Sequence, residues 1–231
     1  LFGQACLNKG MTKATYGTGS SIMMNVGEVP IFSGNGLVSS VGFKMNHKIS
    51  YVLEGNLNYT GAVITWLKND LKLIEKEEET ESLAFAANPE DRTYVVPAFS
   101  GLGAPYWDSS ARAAVIGMSR TTGKAEFVKA ALSCIAYQIT DVVKAMEADS
   151  GLCLKELRAD GGPTRNHFLM QLQSDLLGKC VMVPDQEELS GIGAAYGAGL
   201  AAGLYDERVF ETLGRNAYTP TMNQKDQQEK Y

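Results

Sequence analysis

The chain has 231 residues, 45% of them hydrophobic and 20% charged, which excludes wholesale disorder and supports one large domain rather than two. Its 21 basic and 26 acidic residues give a net charge of -5, against the basic surface that nucleic-acid or anionic-membrane binding demands. Four scattered cysteines and two histidines exclude a clustered zinc site and a disulfide framework, and the expectation is a reducing, cytoplasmic setting.

In chain order, Ala14 to Tyr16 and Ser21 to Val26 flank Gly17-Thr18-Gly19 and predict a hairpin. Leu37 to Phe43 and Ile49 to Leu53 predict a second one. Val63, Leu67, Leu71 and Ile74 recur at helical spacing and predict a helix from Tyr59 to Ile74. The acidic run Glu75 to Glu81 reads as solvated, with Asn88-Pro89 ending any helix around it. Short strands follow at Tyr94 to Pro97 and Ala113 to Met118. The strongest helix is Glu126 to Asp149, whose apolar stripe runs from Val128 to Met146 and which Gly151 terminates. Beyond it lie a strand at Leu154 to Ala159, a turn at Asp160 to Pro163 and a helix at Thr164 to Leu177. A strand at Cys180 to Val183 and a helix at Ser190 to Leu204 complete the pattern. Strand-rich first and alternating later, this is an α/β layout with a mixed sheet.

The chain carries 24 glycines, enough to ask where backbone turns tightly or approaches a ligand. Gly17-Thr18-Gly19 is either a plain hairpin turn or an anion-binding nest of amides, with the Thr18 hydroxyl as a further donor. Asp160-Gly161-Gly162 joins a strand end to a helix start. That is either a simple connection or a ligand site at the carboxyl edge of an open sheet. Gly193, Gly197, Gly199 and Gly203 fall on one helix and predict close backbone packing. Gly117 to Lys124 fails as a phosphate-binding loop, because five residues separate its glycines and Ala125 follows the lysine. Asp108 and Arg112 read as a surface pair, His47 and His167 as solvated histidines, and Trp66 and Trp107 as packing residues. The longest low-charge stretch, Gly191 to Tyr205, holds five glycines and is no membrane span. A start without methionine and a charged end predict a segment of a longer protein.

Several stretches, in order, resemble the FGGY carbohydrate kinases, in particular their glycerol-phosphorylating branch. They are Leu1-Phe2-Gly3-Gln4, Thr15-Tyr16-Gly17-Thr18-Gly19, Leu53-Glu54-Gly55, Gly61 through Leu67, and the long run Val95 to Asp108. Ile135-Ala136-Tyr137-Gln138, Asp160-Gly161-Gly162, Leu169-Met170-Gln171 and Gln173-Ser174-Asp175 continue the likeness to about residue 205. The resemblance implies a ribonuclease-H-like (actin-type) domain spanning 1–231, with a mixed β-sheet flanked by helices, the second of two domains that close on ATP, Mg2+ and a polyol or sugar.

It also implies roles. Gly17 and Thr18 face the nucleotide phosphates, Gly61 and Thr65 lie along the nucleotide, and Gly161, Gly162 and Asn166 hold the adenosine end. Ser21 faces the substrate. Two positions depart from that branch: Thr65 stands where a glutamine is usual, and Ser21 where an aromatic side chain lines the substrate. The second departure implies a roomier, more polar pocket and keeps xylulose, ribulose and erythritol open beside glycerol. The family's catalytic aspartate precedes the position of Leu1, so the expectation is that no catalytic residue lies in this chain and that the chain alone is inactive. The partner it implies is the N-terminal domain of the same enzyme, with homodimers or homotetramers common in the family. A non-catalytic nucleotide-binding module of the same fold is the alternative from another class.

Overall fold

The computed structural model describes residues 1–186 and 188–231. Strands β1 (Thr12–Tyr16) and β2 (Ser20–Gly27) form the first hairpin, and β3 (Val38–Met45) and β4 (Lys48–Leu57) the second. Helix α1 is Gly61–Asn69 and α2 is Glu79–Ala86. A small β5–β6 ribbon (Tyr94–Val96, Ala114–Ile116) then leads to the long α3 (Lys124–Ser150). Next come β7 (Glu156–Asp160), α4 (His167–Leu177), β8 (Cys180–Pro184), α5 (Leu189–Ala201), β9 (Arg215–Tyr218) and α6 (Gln224–Lys230).

Seven strands make one sheet in the order β3-β4-β2-β1-β7-β8-β9. The β1–β7 and β7–β8 pairs are parallel and the others antiparallel. The inner order β4-β2-β1-β7-β8 is the ribonuclease-H-like arrangement, with β3 and β9 added at its two edges. Alternation along the strands divides the sheet into two faces. Ala14, Tyr16, Ile22, Met24, Leu53, Leu157 and Ala159 are fully buried in the core cluster with Ile135, Ile139, Val142 and Met146 of α3. That central helix is long because both ends are closed. Glu126 Oε2 accepts from the Gly123 N–H at 2.9 Å, and Gly151 takes the left-handed conformation at φ 67°.

Four elements differ from the sequence reading. Helix α1 ends at Asn69, and the chain beyond it folds back through Leu73 N–H to Leu67 O at 2.9 Å; Ile74 is buried from a loop, not from a helix. The acidic run is not a solvated stretch throughout. Its last residues, Glu79 to Glu81, form the first turn of α2, where acidic side chains complement the helix dipole and Thr80 is buried. Residues 162–165 form a short 3-10 turn, so α4 begins only at His167. Strand β9 follows the last element read from the sequence, and helix α6 forms from the charged end.

Smaller corrections concern single residues. Asp108 accepts from Ser110 and Ala111, while Arg112 donates to the Ser109, Ser110 and Ala111 carbonyls, so the hydrogen bonds of each serve its own turn and Arg112 reaches Asp108 only through its charge. The His167 ring is engaged with the Tyr218 hydroxyl at 2.6 Å. Trp107 is more than half exposed, tethered by its indole N–H to Gly36 O. Of the four glycines read as a packing face, Gly193 admits backbone, since a Cβ there would lie 2.6 Å from Gly3 N, while Gly197 and Gly199 face the Phe2 and Tyr205 side chains and Gly203 lies beyond α5 with nothing within 4 Å. Among the described residues no helix is long and apolar enough to cross a membrane.

Candidate nucleotide site

Three backbone turns meet at the carboxyl edge of β1 and β7. The β1–β2 turn, Gly17 to Gly19, closes on itself through Gly17 N–H to Gly19 O at 2.9 Å. Its carbonyls then dock the start of α1. Gly61 N–H donates to Gly17 O at 2.9 Å, and Thr60 and Ala62 N–H donate to Thr18 O at 3.1 and 2.9 Å. The Thr60 hydroxyl donates to Gly17 O at 3.1 Å and accepts from Ser20 Oγ at 2.9 Å. The first amides of α1 are therefore spent on the hairpin and are not free for an anion. What remains at the tip, among the described residues, is the Thr18 and Gly19 N–H groups and the exposed Thr18 side chain. Those are donors suited to an anion.

Glycine is required at two of these turns by packing. A Cβ on Gly61 would stand 2.5 Å from Gly17 O, and one on Gly161, at φ 100°, would stand 2.0 Å from Tyr16 O. Gly162 differs, because a Cβ there would meet nothing within 4 Å. It borders a cavity of about 360 Å3, lined also by Gly61, Ile64, Thr80, Leu132 and Asn166. Glu77, Glu78, Glu81, Arg165 and His167 also border it, so apolar and polar groups share the wall of a space with room for a flat heterocycle.

The structure thus brings Gly61, Gly162 and Asn166 to one cavity and sets Gly17, Thr18 and Gly161 on the adjoining turns. Thr65 is not among the residues lining it. It is exposed on α1, and its hydroxyl turns back to Gly61 O at 3.3 Å. Thr80, Glu81, Leu132 and His167 line the cavity and went unread as site residues. The signal for α2 was present in acidic residues opening an apolar-spaced segment, Leu83-Ala84 to Ala87, the usual mark of a helix start.

Ser21 lies apart from the cavity, on the sheet face opposite the α3 core. Lys13 beside it is 6% exposed, and its Nζ donates to Ser21 O at 3.0 Å, Thr15 Oγ1 at 3.1 Å and Ser21 Oγ at 3.3 Å. Burial pushes the Lys13 ammonium below its usual range, with Asp160 and Glu54 pulling it back. The Ser21 hydroxyl reaches Glu54 Oε1 at 3.4 Å. Asp160, at the end of β7, accepts from Gln4 Nε2 at 2.7 Å. Among the described residues, no group of three or more His, Cys, Asp or Glu side chains is placed to hold a metal ion.

Residues 12–202 match the C-terminal domain of the FGGY family of carbohydrate kinases. The chain belongs to that family. A glycerol kinase of Petrotoga mobilis is 47% identical over the whole chain, and one of Natranaerobius thermophilus 45%. The chain spans about half the length of these curated relatives, 47% of each. Among solved structures, Plasmodium falciparum glycerol kinase with ADP superposes with a TM-score of 0.92 at 34% identity, over 99% of this chain and 46% of that one. A ligand-bound xylulose kinase of Lactobacillus acidophilus has the same fold, with a TM-score of 0.84 at 20% identity over 99% of this chain and 46% of that one. The FGGY domain here accordingly has the ribonuclease-H-like sheet at its centre, and both loops singled out for their glycines lie on that sheet's carboxyl edge.

Proposed function

We propose that this chain is the nucleotide-holding half of an ATP-dependent kinase that phosphorylates a hydroxyl of glycerol or a related polyol. The observation that carries the reading is one cavity shared by Gly61 and the Gly162–Asn166 turn, with the hairpin tip and its unspent amides docked against Gly61 beside it. In it the base and ribose occupy the cavity while the phosphates extend to Thr18 and Gly19. ATP supplies the transferred phosphoryl group. The chain's own part is to bind and orient that nucleotide, with amide donors steadying the charge on the phosphates. No acid–base step is assigned to any residue here, and the polyol and the proton-accepting carboxylate belong to the preceding domain. Magnesium, in this reading, enters with the nucleotide and that domain.

A second reading concerns the acceptor. Ser21 sits between the Lys13 ammonium and Glu54. That polar cluster favours an acceptor with more hydroxyls than glycerol, such as erythritol or a pentulose.

The test uses the natural full-length protein and the 231-residue chain side by side. Calorimetry is expected to show ADP and ATP binding by both, with phosphoryl transfer to glycerol, erythritol, xylulose or ribulose by the full-length protein only. Turnover by the chain alone, or nucleotide binding by neither, overturns the proposal. Activity confined to xylulose overturns glycerol as acceptor and leaves the kinase reading in place.

A further inference from the structure

We propose that Thr80 is a positioning residue that fixes the side-chain amide of Asn166 in one orientation, so that Asn166 offers the nucleotide cavity one N–H donor. The proposal rests on reading the cavity as the nucleotide site.

Thr80 is 2% exposed, and its hydroxyl donates to the Glu77 carbonyl at 2.7 Å. A threonine hydroxyl has one proton, so toward any further neighbour Thr80 Oγ1 can only accept. That neighbour is Asn166 Nδ2, at 3.1 Å. At the other end of the amide, Asn166 Oδ1 accepts from Leu169 N–H at 2.9 Å, capping α4. Reversing the amide would set two acceptors against each other at Thr80 and two donors at Leu169. An amide's orientation is decided by such a network, and here both ends decide it the same way. Nδ2 carries two hydrogens and Thr80 takes one. No other described residue accepts the second, and Asn166 lines the cavity.

The neighbours of Thr80 in α2 hold it in place. Glu79 Oε1 accepts from the Glu75 and Lys76 amides at 2.9 and 2.7 Å, and Glu81 accepts from the His167 amide. Three successive side chains in one turn therefore tie the preceding loop, Asn166 and the start of α4 together. The remaining N–H of Asn166 is matched to an acceptor on a purine nucleoside, either an unprotonated ring nitrogen or a ribose oxygen. A group that could only donate at that point would be rejected.

In the full-length protein, Thr80→Val removes the acceptor while keeping the side chain's shape. The KM for ATP is expected to rise by about 3- to 10-fold, the worth of one neutral hydrogen bond, with kcat and the acceptor's KM unchanged. Thr80→Ser restores the wild-type value. With Asn166 already replaced by Ala, Thr80→Val is expected to add nothing, because the two residues act as a unit. Should the valine variant unfold, Thr80→Ala in the same cycle answers the question. If Asn166→Ala raises the KM for ATP but neither Thr80 variant does, or if the effects add, the positioning role is wrong and the cavity assignment stands. If Asn166→Ala itself leaves nucleotide affinity unchanged, the cavity assignment fails first.

Discussion

Gly61 and Gly162 both line the cavity, yet the structure gives them different work, and a pair of alanine substitutions separates the two roles. A Cβ on Gly61 would lie 2.5 Å from Gly17 O, so the hairpin must retreat by at least about half an ångström to reach an acceptable contact. Five hydrogen bonds join Gly17 and Thr18 carbonyls to Thr60, Gly61 and Ala62, at 2.9 to 3.4 Å. Losing two of them costs about 2 kcal/mol at roughly 1 kcal/mol each. The reduced freedom of the unfolded chain returns about 0.4–1 kcal/mol. The net expectation for Gly61→Ala is a loss of about 1–2 kcal/mol, a fall in Tm of about 2–8 °C for a domain of this size. Nucleotide affinity should fall with it. Gly162→Ala meets nothing within 4 Å of its new carbon and projects into space the ligand needs. It should leave Tm unchanged or slightly raised while weakening ADP. Calorimetric unfolding together with ADP titration of both variants measures this. A Gly61→Ala protein as stable as wild type but unable to bind ADP would refute the reasoning, because it would put Gly61 against the ligand rather than against the hairpin.

Two further outcomes follow from hydrogen-bonded carboxylates. Asp175, 7% exposed, accepts from Thr221 N–H at 2.6 Å, Met222 N–H at 3.1 Å and Gln171 Nε2 at 3.1 Å, and so clasps the segment leading into α6. Asp175→Ala should cost about 2 kcal/mol locally, raising amide exchange of residues 219–230 by roughly 30-fold and leaving α3 protected. The amides of Lys76 and Glu75 hold the Glu79 carboxyl below its ordinary value of 4.5. A depressed carboxylate contributes stability that is present above that value and is lost as pH falls through the folded pKa. Protection factors of residues 75–79, taken relative to the intrinsic exchange rate at each pH, should therefore fall below pH 4.5, and Glu79→Gln should abolish that acid dependence.

Much of the fold is legible locally because each cue is local. The Val128-to-Met146 stripe and the Gly151 stop give α3 to within two residues at either end, and the glycine turn between two alternating runs gives β1 and β2. Helix α2 was hidden because its apolar face is only a few residues long and its first turn is acidic, which reads as solvent-facing until α4 is placed beside it. Thr80 shares that fate: a buried threonine inside an acidic run has no sequence signature, since its burial comes from a segment 86 residues away. The site is legible in kind but not in cause. Gly161 stands out in a turn at a strand end and Gly61 only through the family likeness, whereas the atoms that exclude a side chain at each are the Tyr16 and Gly17 carbonyls.

Tyr16 adds a link to the core that helps hold these turns in register. Its phenol, fully buried in the core, donates to Gln173 Oε1 at 2.9 Å, and Gln173 in turn donates to Thr140 Oγ1 at 3.0 Å and Ala136 O at 3.3 Å on α3. Burial pushes the phenol pKa far above its usual range, so the hydroxyl keeps its proton and this chain of bonds at any pH the fold tolerates. The carbonyl of the same residue is the wall that Gly161 packs against, and the next carbonyl, Gly17 O, receives α1. One residue anchored in the core network thus brings the β1–β2 hairpin, the α1 start and the Gly161–Gly162 turn together through backbone contacts, with the Thr60 hydroxyl bonds adding to them. Backbone contacts of that closeness need glycine on one side. The glycines at the turns therefore hold the loops at a fixed spacing, and the open position at Gly162 is where that spacing leaves room for a ligand.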